Sequence, residues 1–143
     1  MRSLKAVLGE ECVAKLQSSH LFIVGVGGIG CELLKVLPKI GVRRMTILDL
    51  DIIEETNLNR QFYFRKSDVK KYKAAVAKEK LMEPHPNLEI VALCDSIYHS
   101  KYDVAFYEQF DCVIAAIDSN RGRRYVGTMC VKAKVPMVDG GTK

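Results

Sequence analysis

Apolar residues concentrate in five short runs, at 21–24, 45–48, 88–93, 112–117 and 135–138, interrupted only at Thr46, Glu89 and Pro136, and longer stretches between them repeat apolar positions three or four apart. Such mainly apolar runs of four to six predict strands buried on both faces, and the longer spacing predicts helices. Leu33, Leu34, Val36 and Leu37 mark a helix from Ile29 that Pro38 and Gly41 should stop. The stretch 69–82 is rich in helix formers and is bracketed by Pro84 and Pro86. A short helix is expected over 102–110, with Val104, Phe106, Tyr107 and Phe110 on its buried side. Another is expected over 120–134 on Tyr125, Val126, Met129, Cys130 and Ala133, although Gly122 and Gly127 interrupt it. Leu4, Val7, Leu8, Val13 and Leu16 predict one or two amphipathic helices broken near Gly9. Strands alternating with helices give a doubly wound α/β domain, a mainly parallel Rossmann-like sheet with helices on both faces. A helical segment over 1–20 precedes a domain over 21–143.

Composition narrows the class. At 143 residues the chain has room for one domain, and 48% hydrophobic with 27% charged residues is ordinary for a globular protein. The net charge of +5 comes from dispersed lysines and arginines, which read as a solvated surface and not as a nucleic-acid interface. Five cysteines, Cys12, Cys31, Cys94, Cys112 and Cys130, are widely spaced with no C-x-x-C pair, so no zinc site is expected and the thiols read as reduced and intracellular. No apolar run approaches the ~20 residues of a membrane helix, and the N-terminus lacks a signal peptide's apolar core.

The chemistry begins at LFIVGVGGIG, where the first strand runs into a glycine turn and a helix. Gly25, Gly27 and Gly30 satisfy G-x-G-x-x-G, with Gly28 as a fourth glycine. Such a turn brings backbone N–H groups and a positive helix end against a phosphate. Proteins using NAD, FAD, a methyl donor or ATP share it, so the turn names no cofactor. Asp49 and Asp51 lie about 20 residues on, where a carboxylate accepts ribose hydroxyls, and they do not discriminate either. The loop that follows does. Asn57, Asn59, Arg60 and Gln61 put three amides and a guanidinium in one segment, with Lys73 beyond it and Asp118 at a strand end. Cations suit β- and γ-phosphates and a strand-end carboxylate suits Mg²⁺, so the set fits a triphosphate better than a dinucleotide. The plainer reading of Lys73 is one more solvated lysine beside Lys66, Lys70 and Lys71.

Taken together, GVGGIGCELLK, DLD, NLNRQF, KYKAAVAKE, AAID and DGGT resemble the adenylation domain of ubiquitin-like-protein-activating enzymes. CELLK, VALCDSIYHSKYDVAFYEQF and TMC look most like the SUMO-activating branch. The resemblance implies that ATP activates the C-terminal glycine of a modifier, SUMO first, as an acyl adenylate. By the same resemblance, Gly25, Val26, Gly27, Gly28, Ile29, Gly30, Asn57, Leu58, Asn59 and Arg60 hold phosphates, and Asp49 and Asp51 the ribose. Ser96 and Ile97 border the adenine. Asp118, Ser119, Asn120, Arg121, Gly122 and Arg123 bind nucleotide, with Asp118 on Mg²⁺, and Arg60, Lys73 and Asp118 are catalytic. A homologous second subunit, a conjugating enzyme and a nuclear and cytoplasmic location are further implications. Ser119 departs from the SUMO pattern and resembles the NEDD8 branch. Sulfur-carrier adenylating enzymes, an inactive scaffold subunit and an NAD-dependent oxidoreductase are the rival readings. The thioester cysteine, the zinc-binding cysteines and the ubiquitin-fold domain are expected downstream of residue 143. Cys31 is expected to be structural although it sits at a helix N-terminus. An exposed apolar patch is expected where the second subunit docks.

Overall fold

The computed structural model describes residues 2–61 and 63–141. Five strands, β1 (His20–Val24), β2 (Arg44–Leu48), β3 (Glu89–Leu93), β4 (Cys112–Ala115) and β5 (Met137–Asp139), form one sheet in the order β3-β2-β1-β4-β5. All four pairings are parallel, so the mainly parallel sheet expected is wholly so. Six helices connect or precede them: α1 (Arg2–Leu8), α2 (Glu10–Ser18), α3 (Gly28–Ile40), α4 (Lys73–Met82), α5 (Val104–Glu108) and α6 (Asn120–Ala133).

Two buried clusters show that both faces of the sheet are covered. On one, Leu21, Ile23, Met45 and Ile47 pack with Leu34 of α3 and Ala77 and Leu81 of α4. On the other, Phe22, Val24 and Val113 meet Tyr107, Phe110, Val126 and Met129. Phe22 stacks on Phe110 at 4.8 Å and meets Phe106 and Tyr107 edge-on. Full burial of each such side chain is worth about 2 kcal/mol. The N-terminal helices break at Gly9 as expected, and α2 docks through Val13 and Leu16 while Val7 of α1 stays 80% exposed.

Register fixes where the site lies. Leu93, Leu48, Val24, Ala115 and Asp139 align across the sheet, so the chain leaves all five strands at one rim. The strand order reverses between β1 and β4, and the crevice at such a reversal is where open α/β sheets bind ligands.

Several boundaries differ from the sequence reading. Pro38 does not stop α3; near the end of a helix it removes one hydrogen bond only, and the stop is left-handed Gly41, whose N–H reaches Pro38 O at 3.2 Å. α4 starts at Lys73 and not at 69. Residues 70–72 pair instead with the loop after β2: Lys70 N–H donates to Ile53 O and Ile53 N–H to Lys71 O, both at 2.8 Å. α5 is shorter than 102–110 because Asp103 caps it, accepting from Phe106 N–H at 2.9 Å. β5 begins at Met137 because Val135 N–H still closes α6 on Cys130 O.

Candidate functional site

The glycine turn divides into two kinds of position. Gly25 has φ 99°, and a Cβ there would lie 2.5 Å from Ala116 O; a Cβ on Gly30 would lie 2.2 Å from Gly25 O. Those two are glycine because backbone fills the space. Gly27 has nothing within 4 Å and Gly28 only Arg60 O at 3.7 Å, so their surface is left open. Both line a cavity of about 760 Å³ at the carboxyl rim, within the range of small-molecule sites. α3 begins there with no side-chain cap and no acidic residue in its first turn, so its free N–H groups and positive end face the cavity.

The first carboxylate is built into the turn. Asp49 accepts from Val26 N–H at 2.6 Å and from Asp51 N–H at 2.8 Å. Burial pushes its carboxyl above the ordinary value, and those two amides oppose the shift. A carboxylate has about four acceptor sites, so Asp49 keeps capacity for a ligand hydroxyl. Asp51 pairs with Lys73 at 3.2 Å; the lysine is 8% exposed and the aspartate 67%. The pairing of 51–53 with 70–73 therefore carries Lys73, the first residue of α4, inward from the lysine run.

The amide-rich loop is held by one of its own members. Asn57 is buried, and its Oδ1 accepts from Glu54 N–H at 2.9 Å. Arg60 lines the cavity with its backbone over Gly28. Gln61 is 3% exposed, also lines it, and its Oε1 has no hydrogen-bond partner. At the far side Asp95, Ser96, Ile97 and Tyr98 follow β3, and Ile117, Asp118 and Ser119 follow β4. Ser119 Oγ caps α6 by accepting from Gly122 N–H at 3.1 Å.

Of the residues singled out from sequence, the cavity brings together Gly25, Gly27, Gly28, Ile29, Asp49, Asp51, Asn57, Arg60, Lys73, Ser96, Ile97, Asp118, Ser119 and Gly122. Val26, Gly30, Leu58, Asn59, Asn120, Arg121 and Arg123 lie outside its lining. Val26 and Gly30 are buried beneath the turn, and Leu58 packs on the core. Arg123 pairs with Asp139 at 2.8 Å and holds its carboxyl below the ordinary value. Thr142 of the DGGT motif and Phe62 lie outside the described residues. Sequence reasoning did not place Asp95, Tyr98 and Ile117 in the site, although each adjoins a residue it did place. Cys31 is fully buried, its Sγ 3.7 Å from Val26 O, and burial pushes the thiol up to about 11.

A model of the ThiF family matches residues 1–143. The chain belongs to the ThiF family. This ThiF-family chain is 42% identical to SUMO-activating enzyme subunit 2 of Dictyostelium discoideum, over 94% of its own length and 20% of that protein's. It is 37% identical to ubiquitin-like modifier-activating enzyme 6 of Mus musculus, over 98% of itself and 14% of that protein. It thus spans about a fifth or less of those two relatives. Among solved structures, E. coli tRNA N6-threonylcarbamoyladenosine dehydratase in complex with ATP superimposes with TM-score 0.83 at 28% identity, over 96% of this chain and 57% of that one.

Proposed function

We propose that the chain is the ATP-binding part of an enzyme that adenylates the C-terminal glycine of a ubiquitin-like modifier. The observation that carries this reading is that Gly27, Gly28, Arg60, Lys73 and Asp118 line one cavity at the N-terminus of α3. In the reaction, a carboxylate oxygen of the glycine forms a bond to the α-phosphorus of ATP. The bond from that phosphorus to the bridging oxygen breaks, and pyrophosphate leaves with the electron pair. The open glycines and the helix end hold phosphate oxygens, Asp49 accepts a ribose hydroxyl, and Arg60 with Lys73 stabilises the charge that gathers on the phosphates. Asp51 holds Lys73 within the cavity until phosphate competes for it.

Mg²⁺ fits this donor set as an ion that arrives with the nucleotide. Asp118 is an exposed carboxylate at the rim, as is Asp51, which is paired with Lys73, and no group of three metal-ligating side chains occurs among the described residues. Mg²⁺ of this kind is held by one or two carboxylates plus phosphate and water, and it neutralises phosphate charge when bound.

SUMO is the modifier we favour, because the SUMO-activating subunit matches at 42% against 37% for the modifier-activating enzyme. A homologous partner subunit is proposed because that relative is itself a subunit 2. Conjugating-enzyme contacts and the thioester cysteine are assigned to regions outside these residues, with Cys31 excluded by its burial, and the working location is nucleus and cytoplasm. The tRNA dehydratase resemblance favours an ATP-using site but supports a tRNA substrate less, since its identity is 28%.

Titration calorimetry with Mg-ATP and, separately, NAD tests the reading. ATP should bind and NAD should not, and Lys73→Ala and Asp118→Ala should each weaken ATP about tenfold or more. Binding of NAD alone would replace adenylation with a dehydrogenase.

A further inference from the structure

Lys73 faces the cavity because 70–73 pair with 51–53, and that pairing needs a reversal of the chain just before it. The reversal is built on a buried carboxylate that the chemistry above does not use. Asp68 ends a 3₁₀ turn over Lys66–Asp68, between Phe64 and Val69, which both pack on the core. It is 3% exposed; its Oδ2 accepts from Arg65 N–H at 3.1 Å and its Oδ1 from Lys71 Nζ at 3.3 Å. Lys71 N–H also donates to Asp68 O at 3.0 Å. Burial by itself would raise this carboxyl, yet the Arg65 amide and Lys71, with Lys80 nearby, hold it below the ordinary value.

Lys70 lies inside this clasp with φ 73°, in the left-handed region that side chains with a Cβ enter only under constraint. The constraint is present on both sides of it: Asp68 holds the chain before and after, and Lys70 N–H is committed to Ile53 O. Tyr72 then bridges Ile52, and Lys73 N–H donates to Asp51 O at 3.0 Å while its Nζ pairs with Asp51 Oδ2 at 3.2 Å. Of Lys66, Lys70, Lys71 and Lys73, only the last is buried. A pairing shifted by one residue would set Tyr72 or Ala74 against Asp51 in its place. Residues 69–72 favour helix, so a chain without the clasp has an alternative, in which α4 starts earlier and Lys73 turns with it.

We infer that Asp68 is a positioning residue for Lys73: it holds the reversal at Lys70 and so sets which lysine of the run faces the phosphates. The inference rests on the nucleotide reading and deepens it, since Asp68 acts through the loop and touches no ligand.

Two readings on the 143-residue chain test it. Lysine acetylation by N-hydroxysuccinimidyl acetate without ligand, followed peptide by peptide in a mass spectrometer, reports which lysine is inside. In the parent Lys66 and Lys70 should react before Lys73; in Asp68→Ala, Lys73 should react about as fast as Lys70. Asp68→Asn, whose side-chain oxygen still accepts from Arg65 N–H, should restore the protection. Lys70→Gly, free to take positive φ, should keep it. Lys70→Pro cannot be left-handed and lacks the N–H given to Ile53, so it should expose Lys73 with Asp68 in place. By calorimetry, Asp68→Ala should weaken Mg-tripolyphosphate, which has the phosphates without the base, roughly fivefold. It should add no further loss in a Lys73→Ala background. Full protection of Lys73 in a folded Asp68→Ala chain would overturn the inference, as would an equal loss of affinity in both backgrounds. Lys70→Pro serves where Asp68→Ala does not fold, and full protection of Lys73 in it would overturn the inference equally. Failure of the parent to bind either Mg-tripolyphosphate or Mg-ATP would overturn the nucleotide reading itself, and this inference with it.

Discussion

Cys31 closes the first turn of a helix whose N-terminus faces the cavity, a setting that ordinarily favours thiolate, yet its environment acts the other way. It is fully buried and its thiol sits at about 11; Cys130 is likewise held at about 11 by burial. Unfolding returns both to ordinary values near 9, so the stability of the neutral buried thiols is whole below about pH 9 and is lost as pH rises towards 11. The urea midpoint should therefore fall between pH 9 and 11, with a smaller fall in Cys31→Ala. Iodoacetamide at pH 8 should label exposed Cys12 first and reach Cys31 and Cys130 only in denaturant, as mass spectrometry would show. Gln61 presents the opposite trade. Its unpartnered, buried Oε1 costs about 1–3 kcal/mol, which Gln61→Leu should recover as a thermal midpoint about 3 °C higher. The same change should weaken Mg-ATP, because the orphaned acceptor lines the cavity; a variant that is both no more stable and equally tight would show that the amide serves neither purpose.

Among the elements, the glycine turn yields the sharpest contrast. Gly30→Ala forces a methyl to within 2.2 Å of Gly25 O, a backbone collision that cannot be relieved by a rotamer change. It should destabilise by about 3 kcal/mol or more in chemical denaturation. Gly27→Ala meets nothing within 4 Å and should fold normally, yet it places a methyl where backbone would cradle phosphate, and tripolyphosphate affinity should drop. Two glycines of one motif thus fail in different assays. α4 is the element whose start matters most: pairing of 51–53 with 70–73 overrides the helical preference of residues 69–72 and aims Lys73 at the cavity.

For the molecule as a whole, the N-terminal helices are unequal attachments. α1 leaves Val7 80% and Leu8 43% exposed, whereas α2 buries Val13 at 1%. Deleting residues 1–9 should shift the melting midpoint by less than about 2 °C; deleting 1–19 should cost about 2 kcal/mol through the loss of Val13, a shift of several degrees in a thermal scan. At the other end Val131 in α6 and Val138 in β5 are 79% and 55% exposed, single apolar residues of an ordinary surface.

The order of strands and helices, the buried faces and the glycine turn were all readable from residue spacing, because burial on two faces demands continuous apolar runs and a phosphate turn demands glycine. So were Asp49, Arg60 and Asp118 as candidates for one site. Sequence could not separate Gly25 from Gly27, since the difference lies in which remote atoms, Ala116 O or none, occupy the space beside them. Nor could it single out Lys73 from three neighbouring lysines; that took the antiparallel bridge between Ile52 and Tyr72. The Tyr98–Arg121 contact joins residues 23 positions apart on different strand ends, and only the parallel register that brings β3 and β4 to one rim puts them together. Local chemistry wrote the elements and the donor set, while long-range packing decided which donors face the ligand.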